Sequence, residues 1–176
     1  MSIPDYIVDK IKSGKFKTIE ITQHFMESDV DELVTLLNQH SSVTHLTLYR
    51  LNLSNACTPK LAQLKFVQEL DLAANNLNDA GILPLLSKSN FTHLDLSRNN
   101  LHQGAAEIIM QHSQQVWINI SENPGIDDKL IALVNDFLKK NKARHLENML
   151  MGKKSPEQIT APAAVLGKNG KSPHRP

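Results

Sequence analysis

The chain has 176 residues, of which 40% are hydrophobic and only 5% aromatic, so it can form one domain with a core built mainly from Leu and Ile. Its single cysteine, Cys57, excludes an intramolecular disulfide and favours a reducing compartment. The net charge of +1 divides unevenly: residues 152–176 carry five Lys or Arg and one Glu, and the rest of the chain is slightly acidic. An acidic body argues against a general nucleic-acid binder.

The N-terminal sequence MSIPDYIVDKIKSGK contains no basic segment followed by a continuous apolar run, so we expect no secretory signal peptide. No stretch approaches the length of a transmembrane helix. Together with the lone cysteine, these features predict a cytoplasmic location. Ile3, Tyr6, Ile7 and Ile11 follow a helical spacing, which predicts a helix that caps the N-terminal end of the domain within residues 1–15.

One phrase occurs twice in the middle of the chain: VQELDLAANNL at residues 67–77 and FTHLDLSRNNL at residues 91–101. Both fit the pattern LxxLxLxxNxL, with an offset of 24 residues. Such a repeat is typical of a leucine-rich-repeat solenoid. Weaker copies begin at Phe16, Val43 and Gln115, which gives five coils over residues 16–126.

Short strands that alternate with helical segments at this period predict an α/β fold. We expect a short horseshoe with a parallel sheet on the concave side and helices on the convex side. The first return helix has apolar residues at Val30, Leu33, Leu36 and Leu37, with Ser28 as a plausible N-cap. Residues 127–151 are expected to form a C-terminal capping helix, and the Gly-, Pro- and Lys-rich residues 152–176 a disordered basic tail.

The asparagine at the ninth position of each repeat is predicted to turn the chain and to bond to backbone groups of its own and the adjacent coil. Asn75, Asn99 and Asn123 should therefore form a ladder through the stack. Leu51 and His24 stand at the same position in the first two coils, which we expect to be looser.

Side chains alternate along a strand, so the residues between the inward leucines should lie on the concave face. This face is predicted to bind a partner, and it combines an acidic centre with two histidines, one Trp, one Tyr and marginal arginines. The candidate partner-binding residues are His45, Thr47, Tyr49, Arg50, Glu69, Asp71, His93, Asp95, Arg98, Trp117 and Asn119.

The sequence offers no catalytic or metal-binding constellation. His45 and His93 lie two strands apart, about 10 Å, which is unfavourable for a shared zinc ion with Glu69. His93, Asp95 and Ser97 are about 6.6 Å apart in succession, too far for a catalytic triad. We therefore predict no metal, no cofactor, no small-molecule substrate and no enzymatic activity.

The segments LDLAANNLNDAGILPLL and LDLSRNNLHQGAAEII resemble the repeats of ribonuclease-inhibitor-like leucine-rich-repeat proteins, although those repeats are longer, at about 28 residues. This resemblance, which covers about Phe16 to Phe137, implies a binding scaffold that uses its concave face and has no catalytic activity. The short Asn-, Gln- and Lys-rich chain is also similar to small leucine-rich-repeat effectors of intracellular bacteria. That likeness implies a host protein as partner, the host cytosol as location and a translocation signal in the tail.

The sequence as a whole predicts a non-enzymatic, monomeric protein–protein interaction module. The acidic centre of the concave face favours a protein partner with a basic patch and disfavours nucleic acid, whose phosphates it would repel. The alternative is a nucleic-acid or anionic-membrane binder that works through the basic tail.

Overall fold

The computed structural model describes residues 3–87, 91–113, 115 and 117–150. The tail predicted for residues 152–176, its disorder and its suggested role as a translocation signal lie outside the described residues. Among the residues that the structure describes, no helix is both long and apolar enough to cross a membrane.

Five strands form one parallel sheet in chain order, and a helical segment follows each strand. Neighbouring strands pair at a constant register: His45 lies beside Glu69, Glu69 beside His93, and His93 beside Trp117. The strands are β1 Thr18–Ile21, β2 His45–Leu48, β3 Glu69–Asp71, β4 His93–Asp95 and β5 Trp117–Asn119. The α-helices are α1 Asp5–Lys12, α2 Val30–Gln39, α3 Thr58–Leu61, α4 Asp79–Ser87, α5 Gln103–His112 and α6 Asp128–Leu150.

The core lies between the sheet and the helices. Successive strand residues point to opposite faces, so the central residues Leu46, Leu70 and Leu94 of neighbouring strands pair side by side and are fully buried. Ile7 and Ile11 of α1 cover the first coil, and Val134 and Leu138 of α6 cover the last one. The predicted leucine-rich-repeat solenoid, with a helix at each end, is thereby confirmed.

Buried asparagine side chains join each of the last three coils to the one before it. The Oδ1 atom of Asn75 accepts the backbone N–H groups of Leu51 and Leu53, both at 3.0 Å. Its Nδ2 donates to the carbonyl oxygens of Leu48 and Leu72 at 2.8 and 2.9 Å. Corresponding bonds extend from Asn99 and Asn123 to their own and the preceding coils.

In the first coil the backbone N–H groups of the turn cannot bond to an asparagine of the second coil, because Leu51 stands at that position. The backbone N–H of Met26, at the position that Leu53 occupies one coil later, donates instead to the Oδ2 atom of Asp29 at 2.9 Å. The carboxyl group of Asp29 is buried at the beginning of α2. A local carboxylate thus replaces the amide that the next coil does not provide.

The residue before each regular ladder position adopts a left-handed backbone conformation, although none of these residues is glycine. The φ angles of Arg50, Ala74, Arg98 and Glu122 lie between 55° and 56°. In Arg50, Ala74 and Arg98 the N–H group bonds to the next coil: that of Ala74, for example, donates to the carbonyl oxygen of Ser97 at 3.0 Å. At these three positions, contacts with the next coil therefore hold a conformation that residues other than glycine disfavour.

Candidate functional site

The concave face of the sheet contains a shallow depression of about 290 Å³. It brings together seven of the residues predicted to bind a partner, and these side chains are half-buried or exposed. The seven are His45, Thr47, Glu69, Asp71, His93, Asp95 and Trp117. Tyr49, Arg50, Arg98 and Asn119 do not line the depression; the first three lie in the turns after β2 and β4.

A histidine and a glutamate pair across β2 and β3. The Nε2 atom of His45 is 3.1 Å from the Oε1 atom of Glu69, and its Nδ1 is 2.8 Å from the hydroxyl oxygen of Thr44. With Nε2–H donated to the carboxylate, neutral His45 would accept the Thr44 hydroxyl proton at Nδ1. Both ring nitrogens are thereby engaged, which orients the imidazole along the floor of the depression.

Acidic and amide side chains at the ends of β3, β4 and β5 have a structural role that the sequence analysis missed. Asp71 accepts the backbone N–H of Ala73 at 2.8 Å, and Asp95 accepts that of Ser97 at 2.9 Å. Asn119 makes the same bond in the last coil. Each forms an Asx turn that directs the chain out of its strand. The repeated spacing of Asp, Asp and Asn after an inward Leu or Ile was the signal that could have revealed it.

The Asp71 carboxyl group lies in an environment that disfavours its charge. Partial burial raises its pKa above the ordinary value of 3.8, the N–H of Ala73 acts against this, and the nearby carboxylates of Asp95 and Glu20 raise it further. The other oxygen of Asp95 accepts a hydrogen bond from Asn119 at 3.1 Å. The depression therefore has a negative potential that a cation in a partner could neutralise.

Trp117 lies at one side of the depression, on β5. Its side chain is 44% exposed, and its ring stacks at a tilt of 34° on the ring of His93, with 6.1 Å between centroids. The indole ring is thus partly supported by β4 and remains accessible.

At the edge of the concave face, Arg98 joins the turn after β2 to the turn after β5. Its Nε atom donates to the Oε2 atom of Glu122 at 2.9 Å, and its NH1 atom lies 3.5 Å from the hydroxyl of Tyr49. These hydrogen bonds, that of Glu122 above all, raise the pKa of the guanidinium group above its ordinary value. Glu122, which the sequence analysis did not single out, partly neutralises the positive charge of Arg98 at this edge of the concave face.

Within the described part of the chain, no group of three or more His, Cys, Asp or Glu residues is arranged to hold a metal ion. A larger cleft, about 560 Å³, lies elsewhere, between the loop after β5 and the first turns of α6. Its charged lining residues, Asp127 and Lys129, have opposite signs. We regard the concave depression as the candidate site, because it concentrates one sign of charge beside an exposed aromatic ring.

Solved structures give the clearest comparison. The fold is similar to that of the structure described as leiomodin-1 actin-binding site 2, with a TM-score of 0.66 and 14% identity over 87% of this chain and 97% of that one. It is also similar to the C-terminal domain of tropomodulin from Caenorhabditis elegans, with a TM-score of 0.61 and 12% identity over 84% and 98% of the two chains. The likeness is one of fold. No protein-family model matches the sequence, and no curated protein matches it.

These structures correct the sequence-based resemblance. The repeats were predicted to be ribonuclease-inhibitor-like and to resemble bacterial effectors, and that prediction is wrong: the solved structures of similar fold include leiomodin-1 and tropomodulin domains. From β2 to β5, successive strands pair residues 24 apart, a shorter step than the repeat of about 28 residues in that family, and the return helix α3, Thr58–Leu61, has a single turn. The composition that suggested an effector describes the surface and did not identify the repeat type.

Proposed function

We propose that this chain is a non-enzymatic protein-interaction module whose partner binds the concave face. The observation that supports the proposal most strongly is the depression itself, where Glu69, Asp71 and Asp95 lie beside the exposed ring of Trp117. Aromatic side chains provide much of the binding energy of protein interfaces, and flanking charge orients the partner and increases the association rate. The overall fold adds support, because a domain of similar fold is described as an actin-binding site.

The chemistry of the depression favours a partner with a basic patch. A Lys or Arg side chain could lie against the indole of Trp117 and neutralise Asp95 or Asp71. At the margin, Tyr49 and Arg50 would contact the polar rim of such a partner, while Arg98 is already engaged with Glu122. Nucleic acid would be repelled by the same carboxylates. We propose further that the module acts as a monomer in the cytoplasm.

Actin is the first partner to test, because the leiomodin-1 structure is described as one of its binding sites. The full chain is titrated against purified actin monomers and, separately, sedimented with actin filaments. Binding to either form would identify actin as a partner, and the concave-face variants would then show where on this chain actin binds. If actin does not bind, a purified protein captured by the full chain takes its place in the same assay.

Two concave-face variants test the site. Trp117→Ala removes the aromatic anchor, and the pair Asp71→Asn, Asp95→Asn removes two charges while an amide oxygen remains to accept each Asx-turn hydrogen bond. Each should weaken partner binding at least about tenfold, which corresponds to about 1.4 kcal/mol. Replacement by Lys is less informative, because it would break the turns that Asp71 and Asp95 form.

The matched control is the pair Glu32→Gln, Glu107→Gln, which changes the net charge equally at exposed positions of α2 and α5 on the convex side. It should leave affinity unchanged. Equal weakening by the control and concave pairs would show that only net charge matters, and unchanged affinity in all variants would place the partner elsewhere.

The alternative is a nucleic-acid or anionic-membrane binder that works through residues 152–176, which carry five Lys or Arg and one Glu. It predicts that the full chain binds duplex DNA or phosphatidylserine vesicles at low salt, with affinity that falls as salt rises. Loss of binding on removal of these residues, with no effect of the concave variants, would favour this alternative over the concave-face proposal.

A further inference from the structure

Charge is distributed in a complementary way between two parts of this chain. In the described residues, the five strands contain four acidic residues, Glu20, Glu69, Asp71 and Asp95, and no Lys or Arg. Residues 152–176 have the opposite balance, with Lys153, Lys154, Lys168, Lys171 and Arg175 against Glu157. The acidic strand residues and the basic C-terminal segment thus carry net charges of equal size and opposite sign.

The C-terminal segment is long enough to reach the concave face of its own molecule. Helix α6 begins beside the sheet, where it packs against β5 and α5, and it ends at Leu150. Returning along a helix of 23 residues requires about 35 Å, and crossing five strands requires about 19 Å. Residues 151–176, when extended, span about 86 Å, so the reach exceeds the path.

Electrostatics favours the concave depression over two larger clefts of the described residues. Three carboxylates, those of Glu69, Asp71 and Asp95, line the depression, and no Lys or Arg does. The cleft beside α6 contains one acidic and one basic side chain, and in the cleft between α1 and α2 Lys12 lies beside Asp31 and Glu32. Glu69 lies 3.1 Å from the Nε2 atom of His45, but the only donor to the Asp71 carboxylate among the contacts described is the backbone N–H of Ala73. A cationic side chain would relieve the mutual repulsion of Asp71 and Asp95.

We propose that residues 152–176 dock on the acidic concave depression of the same molecule and compete there with any basic partner. The link is covalent, so the local concentration of the segment is in the millimolar range, and even a weak site is substantially occupied. The contacts are ionic and solvent-accessible, which makes the docking reversible and sensitive to salt. A partner must therefore displace a basic segment of the chain before it reaches Trp117.

The test uses the full chain with a nitroxide label attached to Ser172→Cys. The native thiol of Cys57 does not interfere, because it is buried and its pKa is raised to about 12, mainly by burial. Paramagnetic broadening of backbone amide NMR signals is measured in about 10 mM and about 1 M salt, where the screening lengths are about 30 and about 3 Å.

We expect the amide signals of Glu69, Asp71, His93 and Asp95 to lose at least half of their intensity at low salt and to recover it at high salt. The pair Asp71→Asn, Asp95→Asn should abolish the broadening, and the convex pair Glu32→Gln, Glu107→Gln should preserve it. Broadening that is absent, or that affects the convex helices equally, would overturn the proposal.

A mixture of two chains separates docking within a molecule from docking between molecules. One chain carries the nitroxide without isotope enrichment, and the other is isotope-enriched and carries no nitroxide. If broadening in the mixture equals broadening in the chain that carries both the nitroxide and the isotope, a second copy and not the same molecule supplies the segment. That result would also overturn the proposal. No partner is present in these measurements, so their failure leaves the proposed protein-binding function standing, and failure of the partner assays leaves the docking result standing.

Discussion

The side-chain oxygen of Asn123 accepts the backbone N–H of Asn99 at 3.0 Å, so the turn of one coil is held by the asparagine of the next. The same oxygen accepts the N–H of Leu101 at 2.9 Å. Each ladder amide therefore serves two coils, and the loss of one should weaken the turn on both sides.

The change Asn99→Ala tests this relationship. It removes three donated hydrogen bonds, to the carbonyl oxygens of Leu72, Leu96 and Ser97, and leaves the buried N–H of Leu77 without the Asn99 oxygen. We expect a loss of about 1–3 kcal/mol in the free energy of unfolding, measured by urea denaturation. The exposed neighbour provides the control: Asn100→Ala should change stability by less than about 0.5 kcal/mol. Equal effects of the two changes would contradict the ladder.

The buried carboxylate of Asp29 should be needed only because Leu51 lacks an amide. Asp29→Ala leaves the N–H of Met26 unpaired and should destabilise the fold by about 1–3 kcal/mol. In that background, Leu51→Asn should recover part of the loss, because the new amide can reach back as Asn75 does one coil later. Leu51→Ala is the matched control and should recover nothing. If the effects of Asp29→Ala and Leu51→Asn are additive in the double-mutant cycle, the new amide does not replace the Asp29 carboxylate, and the argument is wrong.

Asp71 should make the fold less stable as the pH rises. Its pKa is raised in the folded state, so between its unfolded value of about 3.8 and the higher folded value the native chain holds more protons than the unfolded one. Stability contributed by the protonated form is present below about pH 3.8 and is lost as pH increases through the folded pKa. Asp71→Asn keeps the turn and should therefore be more favourable, relative to the parent chain, at about pH 7 than at about pH 4.

Urea midpoints at the two pH values measure this difference. Glu107→Gln, on an exposed position of α5, serves as the control for removal of a carboxylate. A stability difference between the Asp71→Asn variant and the parent that is the same at both pH values would show that burial of Asp71 has no energetic effect.

The left-handed conformation of Ala74 predicts a stabilising substitution. An L-residue with a φ of 56° carries a penalty of about 1–2 kcal/mol, and Ala74→Gly removes it while increasing the entropy of the unfolded chain by the equivalent of about 0.4–1 kcal/mol. We expect a net gain of up to about 1 kcal/mol in thermal or urea denaturation. The same change at the exposed helical residue Ala132 should have the opposite sign, with a loss of about 1 kcal/mol. Destabilisation at both positions would contradict the argument.

The period of the leucines was sufficient to predict the architecture. Because inward side chains recur every second residue within each copy, and the copies recur after 24 residues from Val43 onward, the sequence predicted a parallel sheet with its strands in chain order, which the structure confirms. The pattern LxxLxL contains this information directly, since a strand shifted by one residue would expose Leu70 and Leu94. The type of repeat was predicted wrongly, because different leucine-rich-repeat families share those leucines and differ in the return segments.

The polar contacts were harder to predict, because they depend on which group supplies a hydrogen bond. Ser28 was predicted to cap the first return helix, but Asp29 occupies the N-cap position of α2, and its carboxylate accepts the N–H of Met26, which precedes the helix. Both residues are adequate caps by type. The left-handed turns were not predicted, because Arg50, Ala74, Arg98 and Glu122 are not residues that signal a positive φ. Whether the concave residues bind a partner stays a prediction.

The equal step of 24 residues between the coils from β2 to β5 makes this part of the molecule divisible. His45 and His93 each pair with Glu69, 24 residues away on either side, so deletion of residues 67–90 would bring the strand of His93 beside that of His45 without a change of register. Asn99 would then lie where Asn75 now reaches the N–H groups of Leu51 and Leu53. Solenoids are stabilised mainly by contacts between neighbouring coils. A four-coil version of this chain is therefore a reasonable design, and coil number is a variable that can be adjusted in whole units.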